Sequence, residues 1–108
     1  MQKTVPAKIL ELLSESKELY VKEGVLLLGF FGSYAKNTYD KYSDVDIAYT
    51  LDHEKFSKTY KDGFSKILRL EEIKKTLEQR LHKNVDLVSL DSNNTTLIEQ
   101  IKKEIIYV

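Results

Sequence analysis

The run Val25-Leu26-Leu27-Leu28-Gly29-Phe30-Phe31 carries no polar side chain and stands between Gly24 and Gly32. Seven residues are far too few to cross a bilayer as a helix. A short unbroken apolar run between glycines reads as a strand buried on both faces. Such a strand belongs inside a sheet with cover above and below it, so the rest of the chain has to supply that cover. The flanking segments do so with helical periodicity.

Residues 5–22 place Ile9, Leu12, Leu13, Leu19 and Tyr20 at helical spacing. Thr4 is positioned to cap this helix, Pro6 falls in the first turn, where its missing N–H costs nothing, and Gly24 is a plausible stop. A short helix is expected over residues 34–37 and a polar turn over 38–42. Residues 43–51 then alternate, with Asp44, Asp46 and Ala48 on one face and Val45, Ile47 and Tyr49 on the other, the period of a strand. Phe56 and Tyr60 suggest helical spacing within 52–63, which Gly63 interrupts. Residues 64–82 carry Ile67, Leu70, Ile73, Leu77 and Leu81, an amphipathic helix. A third strand is expected at 85–90, a turn at 91–94, and a closing helix at 95–106 with Leu97, Ile98, Ile101 and Ile105 inward. The order is α, β, short α, β, α, β, α. It predicts one α/β (α+β) domain over residues 1–108, with helices packed on a small sheet.

Composition narrows the function. Lys plus Arg number 17 and Asp plus Glu number 17, so the net charge is zero. Such a chain lacks the global basic field of a nonspecific nucleic-acid binder, and direct nucleic-acid binding is not expected. Near-zero charge also resists self-association poorly, which leaves room for a homo- or hetero-oligomer. With no cysteine, disulfides, thiolate metal sites and Cys nucleophiles are excluded. The N-terminal residues have no apolar signal core. The expectation is a soluble cytoplasmic protein with no membrane partner.

The chemistry sits in Gly32-Ser33-Tyr34-Ala35-Lys36-Asn37 and the following Ser43-Asp44-Val45-Asp46. Two residues apart on a strand, Asp44 and Asp46 lie roughly 6–7 Å apart on one face. Their mutual repulsion becomes favourable when a cation stands between them. Oxygen-only ligands suit a hard ion, most simply Mg²⁺, held by carboxylates and substrate phosphates. Gly32 permits a sharp turn and close approach of a ligand, Ser33 adds a hydroxyl donor, and the helix beginning there aims free N–H groups at an anion. Asp86 is the one acid in the apolar stretch Val85-Asp86-Leu87-Val88. It either completes the metal site or acts as general base toward an acceptor hydroxyl. Two ions would divide the work, one activating the attacking oxygen and one holding the triphosphate. Each feature alone has an ordinary explanation: a wet strand face, a turn, an edge-strand acid. Their order and spacing together carry the signal.

Taken together, GSYAKN, SDVD and VDLV resemble the signature of the nucleotidyltransferase superfamily. The short chain and its Glu104-Ile105-Ile106-Tyr107-Val108 ending resemble the minimal (MNT) branch. The resemblance implies a small mixed sheet flanked by helices. It implies that Asp44, Asp46 and Asp86 are the catalytic, metal-binding carboxylates and that Gly32 and Ser33 bind the nucleotide. It further implies an MntA-like antitoxin of HEPN/MNT pairs, which moves AMP from ATP onto a tyrosine of a HEPN ribonuclease toxin. The alternatives are a binding module that neutralises a toxin by complex formation, or transfer to a small molecule or an RNA end. Where the family box ends in Gly, this chain has Asn37, the non-glycine residue that best tolerates a left-handed backbone. Residues 52–68 exceed a minimal connection and suggest a partner surface or a lid. Lys36 reads as a solvated lysine, Tyr39 and Tyr42 as packing residues, and His53 and His82 as having no metal role.

Overall fold

In the computed structural model, which describes residues 4–108, the order is α1 (Val5–Tyr20), β1 (Val25–Phe31), α2 (Ser33–Lys36), β2 (Val45–Leu51), α3 (His53–Thr59), α4 (Gly63–Leu81), β3 (Val85–Ser89), α5 (Thr95–Glu104) and β4 (Ile106–Tyr107). Thr4 caps α1 by accepting the Ala7 N–H at 3.2 Å. The chain then tightens into a 3₁₀ turn that stops at Gly24, whose φ is 91°. A Cβ at Gly24 would lie 2.7 Å from the Phe56 nitrogen, so glycine is required there by space as well as by backbone conformation.

The sheet order is β3-β2-β1-β4. β1 runs antiparallel to both β2 and β4, whereas β2 and β3 are parallel, so the sheet is mixed. One face is covered by α1, α3 and α4: Ile9, Leu13, Phe56, Ile73 and Leu77 pack on Val25, Leu27, Phe30, Val45, Ile47 and Tyr49. The other is covered by α5, through Ile101 on Phe31 and Ala48. Both faces of β1 are therefore covered, as its composition demands. Among the described residues no helix is long and apolar enough to cross a membrane.

The register of β1 against β2 slips between Leu27 and Gly29, a bulge. A one-residue slip exchanges the two faces of a strand. Leu27 and Phe30 consequently share the α1/α4 face although they are three apart, and Phe31 turns to the α5 face opposite Asp46. Gly29 is needed here because the Ile106 carbonyl occupies the space a side chain would take.

Several expectations are corrected. Residues 21 and 22 leave the α-helix, and Leu19 is exposed, while Ser16 takes a buried place on α1. Within 52–63 the helix expected from Phe56 and Tyr60 covers only His53–Thr59, with Tyr60 outside it, and α4 starts at Gly63 behind an Asp62–Ser65 capping box. Ile67 and Leu97 face outward. Ile106 leaves the closing helix to pair with Phe30 in β4, a strand too short to show periodicity.

Candidate active site

β2 and β3 are in parallel register with Asp46 opposite Asp86. Neighbouring strands lie about 4.8 Å apart, so these two carboxylates leave the sheet side by side from the same face. Asp44 falls just before β2 and is exposed. Asp46 and Asp86, 40 positions apart, thus stand side by side on the α5-covered face, and the charge of Asp44 reaches Asp46 as well. Ala48, on that same face of β2, is fully buried beneath α5, so only the Asp46 end of the face is open.

The glycine turn arrives from β1. Phe31 is paired with Asp46, and the next residue, Gly32, leaves the strand at φ 74° and ψ −149°, a conformation suited to glycine. A Cβ at Gly32 would run into Asp46 Oδ2. Conformation and space both select glycine, and the turn and the carboxylate are in direct contact. Ser33 then opens α2, where the first N–H groups of the helix have no intrahelical acceptor. Asn37 ends α2 at φ 62°, donating its N–H to the Ser33 carbonyl, so the left-handed turn survives without glycine.

The electrostatics are unbalanced. Burial first, then the charges of Asp86, Asp44 and Glu104, push the Asp46 carboxyl up to about 6. Among the described residues no Lys, Arg or His forms an ion pair with Asp44, Asp46 or Asp86. Glu104, which sequence reasoning missed, enters because α5 folds over this face. Its local sequence gives no sign of this. Lys36, expected to be solvated, pairs with Glu104 at 3.0 Å and ties α2 to α5.

No group of three or more His, Asp or Glu among the described residues is placed to hold a metal. The carboxylates are therefore an incomplete set. Paired acids with oxygen-only donors and no internal counter-charge still suit a divalent ion whose remaining ligands come from substrate phosphates. One surface hollow, of about 500 Å³, reaches Asp44 and another, of about 220 Å³, reaches Asp86. A further one, of about 550 Å³, lies between α1 and the end of α4 and touches none of the five predicted residues.

Tyr34, buried, stacks on Tyr39 with ring centroids 4.5 Å apart, the packing role expected of Tyr39. Tyr42 does not pack: it is 80% exposed on the turn before Asp44. His53 lies 3.6 Å from Asp91, at the far end of β2.

The polymerase beta nucleotidyltransferase model matches residues 8–108. The chain is 32% identical over 97 residues to the protein adenylyltransferase MntA of Thermococcus cleftensis, covering 90% of this chain and 88% of that protein. It is similar to a chain of a toxin–antitoxin crystal structure with AMP-PNP, with a TM-score of 0.62, 27% identity and coverage of 94% of this chain and 70% of that one. It is also similar to a solved chain assigned as a minimal nucleotidyltransferase, with a TM-score of 0.63, 27% identity and coverage of 92% and 95%. The chain is a nucleotidyltransferase, a member of the polymerase beta superfamily in its minimal branch.

Proposed function

We propose that this enzyme transfers AMP from ATP to a hydroxyl of a protein acceptor, a tyrosine of a cognate HEPN-type toxin, and so acts as an antitoxin. The observation that carries the chemistry is the in-register Asp46–Asp86 pair with Gly32 against Asp46. The acceptor class is supported by the relative named a protein adenylyltransferase and by the neighbour solved within a toxin–antitoxin structure.

The acceptor oxygen attacks the α-phosphorus of ATP. A new P–O bond forms, the bond to the β-phosphate oxygen breaks, and pyrophosphate leaves. Asp86, on the edge strand, accepts the proton of the attacking hydroxyl. Gly32 lets the backbone approach the triphosphate, and the Ser33 hydroxyl and N–H donate to its oxygens. Asp46 with a neighbouring acid, Asp44 or Asp86, completed by the substrate phosphates, would hold Mg²⁺, which would supply charge neutralisation at the phosphates and lower the barrier at phosphorus. The raised carboxyl of Asp46 is consistent with a position built to receive positive charge.

The test is mass spectrometry of the partner protein after incubation with ATP and Mg²⁺. One or more AMP additions are expected. Addition unchanged by a chelator, or unchanged in Asp44→Asn/Asp46→Asn, would refute the proposal. A carboxylate-dead variant that still neutralises the toxin through complex formation would establish a plugging module instead.

A further inference from the structure

The helix that follows the glycine turn, α2, is a single turn, Ser33–Lys36, and one helical turn does not hold itself. What fixes it comes from outside. Tyr34 is buried in the core shared with α1 and α4, and its hydroxyl donates to the Ser43 carbonyl at 3.4 Å. Lys36 lies two residues on, about 200° around the helix axis, and so leaves from the other side. There its Nζ meets Glu104 Oε2 at 3.0 Å. Glu104 is the better-buried partner, 19% exposed against 51% for Lys36, and forms the fixed end of the pair. α2 is thus pinned on opposite sides, to the core by Tyr34 and to α5 by Lys36.

Glu104 is itself held in place. α5 ends on it, and the chain passes directly into β4, whose Ile106 and Tyr107 pair with Phe30 and Gly29. The Val108 N–H adds a bond to the Leu28 carbonyl at 3.0 Å. Gly29 lets the Ile106 carbonyl lie where a side chain would stand, so this segment sits tightly on β1. The pairing is antiparallel, so a step back from Ile106 toward Glu104 is a step forward from Phe30 toward Gly32. Lys36 closes the circuit from within α2, since its N–H donates to the Gly32 carbonyl at 3.0 Å. The contacts therefore run from β1 to β4, to Glu104, to Lys36, to Gly32 and back to β1. They enclose the turn that carries Gly32 and Ser33.

We propose that Glu104 is a positioning residue for nucleotide binding: through its ion pair with Lys36 it fixes α2, and with it Gly32 and Ser33, where the triphosphate needs them. This rests on the reading above that Gly32 and Ser33 seat the triphosphate, and the experiment separates the two. Glu104 acts through Lys36 and touches no substrate, since a carboxylate would repel the phosphates. A partly exposed ion pair contributes little to overall stability. Displacing a group that positions substrate by about 1 Å, in contrast, can cost about 10²-fold. The pair should therefore register in ATP binding and not in melting. Binding of a ribose-modified ATP with Mg²⁺ is followed by fluorescence for wild type, Glu104→Gln, Lys36→Met and the swapped Lys36→Glu/Glu104→Lys. Ser33→Ala serves as the check on the seat, and melting of the same proteins is followed by circular dichroism.

Glu104→Gln and Lys36→Met are each expected to weaken binding at least about fivefold, and the swap to restore it to within about twofold of wild type. Ser33→Ala should weaken it as well, and the melting temperatures of the Glu104 and Lys36 variants should stay close to wild type. Unchanged binding by Glu104→Gln, with Ser33→Ala weakened, overturns the positioning role and leaves the seat standing. Tighter binding by Glu104→Gln does the same, because Glu104 would then be competing with the phosphates for Lys36. A swap that fails to restore binding would place one of the two side chains directly on the nucleotide or its metal ion and likewise overturn the proposal. So would a melting temperature that falls along with binding, which would make the pair a support of the whole fold. If wild type binds no ATP, or Ser33→Ala binds as wild type does, the seat itself fails and the positioning role falls with it.

Discussion

At one end of β2 stands Asp46, half-buried, without an ion-pair partner among the described residues, and pushed up to about 6 by burial and by the charges of Asp86, Asp44 and Glu104. Just past the other end stands Asp91. Its carboxylate accepts the Thr50 hydroxyl and the Leu51 N–H, the latter at 3.0 Å, with His53 3.6 Å away. Burial alone would raise Asp91. The hydrogen bonds and the His53 charge outweigh it, and its carboxyl is held below the usual value. The residue type is the same and both carboxyls stand beside an end of β2, and the outcomes are opposite. Asp91 is placed so that the fold satisfies it, which is how a carboxylate ties a turn to a strand end. Asp46 is placed so that the fold leaves it strained, which stabilises nothing until something positive arrives.

The largest effects should come from the strained end. Asp44→Asn/Asp46→Asn should reduce AMP transfer by at least about 10³-fold, because charge stabilisation at a phosphoryl centre contributes several kcal/mol and each 1.4 kcal/mol is tenfold. Thermal melting should not fall, since two mutually repelling charges are removed. A drop in stability together with the lost activity would mean that Asp46 is structural after all, and would erase the contrast with Asp91.

Gly32→Ala attacks the same end through the backbone. The variant has to hold a glycine-type conformation and fit a methyl where the Asp46 carboxylate stands. Strain of about 1–3 kcal/mol is expected. Urea denaturation measures it, and transfer should fall with it because the carboxylate must move. Wild-type stability in this variant would show that the turn and Asp46 are not in contact.

Asp91→Ala is the matching change at the satisfied end. Loss of its hydrogen bonds to Thr50 and Leu51 should cost about 1–2 kcal/mol in urea denaturation, while transfer per folded molecule stays within about twofold of wild type. Lost transfer in a folded variant would move catalytic importance to the wrong end of the strand.

The two ends also differ in how visible they were in the sequence. The strained end was legible because its parts are local. A buried apolar run, a Gly-Ser stop and an Asp-x-Asp alternation each have a period or a break that sequence displays. Asp86 was legible for a different reason, as a charge in an apolar strand, although only the parallel register of β3 sets it beside Asp46. What escaped is long-range or too short to repeat. Glu104 reaches Asp46 only through the path of α5. β4 has two residues, a single period of alternation that never repeats. The bulge at Leu28 depends on how two strands meet, and its only trace was Gly29, where a backbone crosses closely. Asp91 read as part of a turn, which is what it ties down. Its partners Thr50 and Leu51 are about 40 positions away and gave no sign of the pairing.

The finest test is the pH dependence of stability, measured in a chelator so that no divalent ion masks the charges. The folded state holds a proton on Asp46 up to about pH 6, while the unfolded chain releases it near 3.8. Raising pH through that window therefore lowers stability, and the cost is complete above about pH 6. Asp91 has the reverse sign: its contribution is full above its unfolded value near 3.8 and is lost as pH falls below that. Asp46→Asn should consequently be more stable than wild type at pH 7. The full shift would correspond to about 3 kcal/mol, but Asp46 is only half-buried and solvent screens it, so about 1 kcal/mol is expected. The gain should vanish below pH 4. Asp91→Ala should be less stable than wild type across pH 5–8, with the gap closing only below about pH 4. Adding Mg²⁺ at pH 7 should raise wild type toward Asp46→Asn and leave the variant where it is. Parallel curves for the two variants, or a wild type indifferent to Mg²⁺, would mean that the fold treats both carboxylates alike and that β2 does not have a strained end.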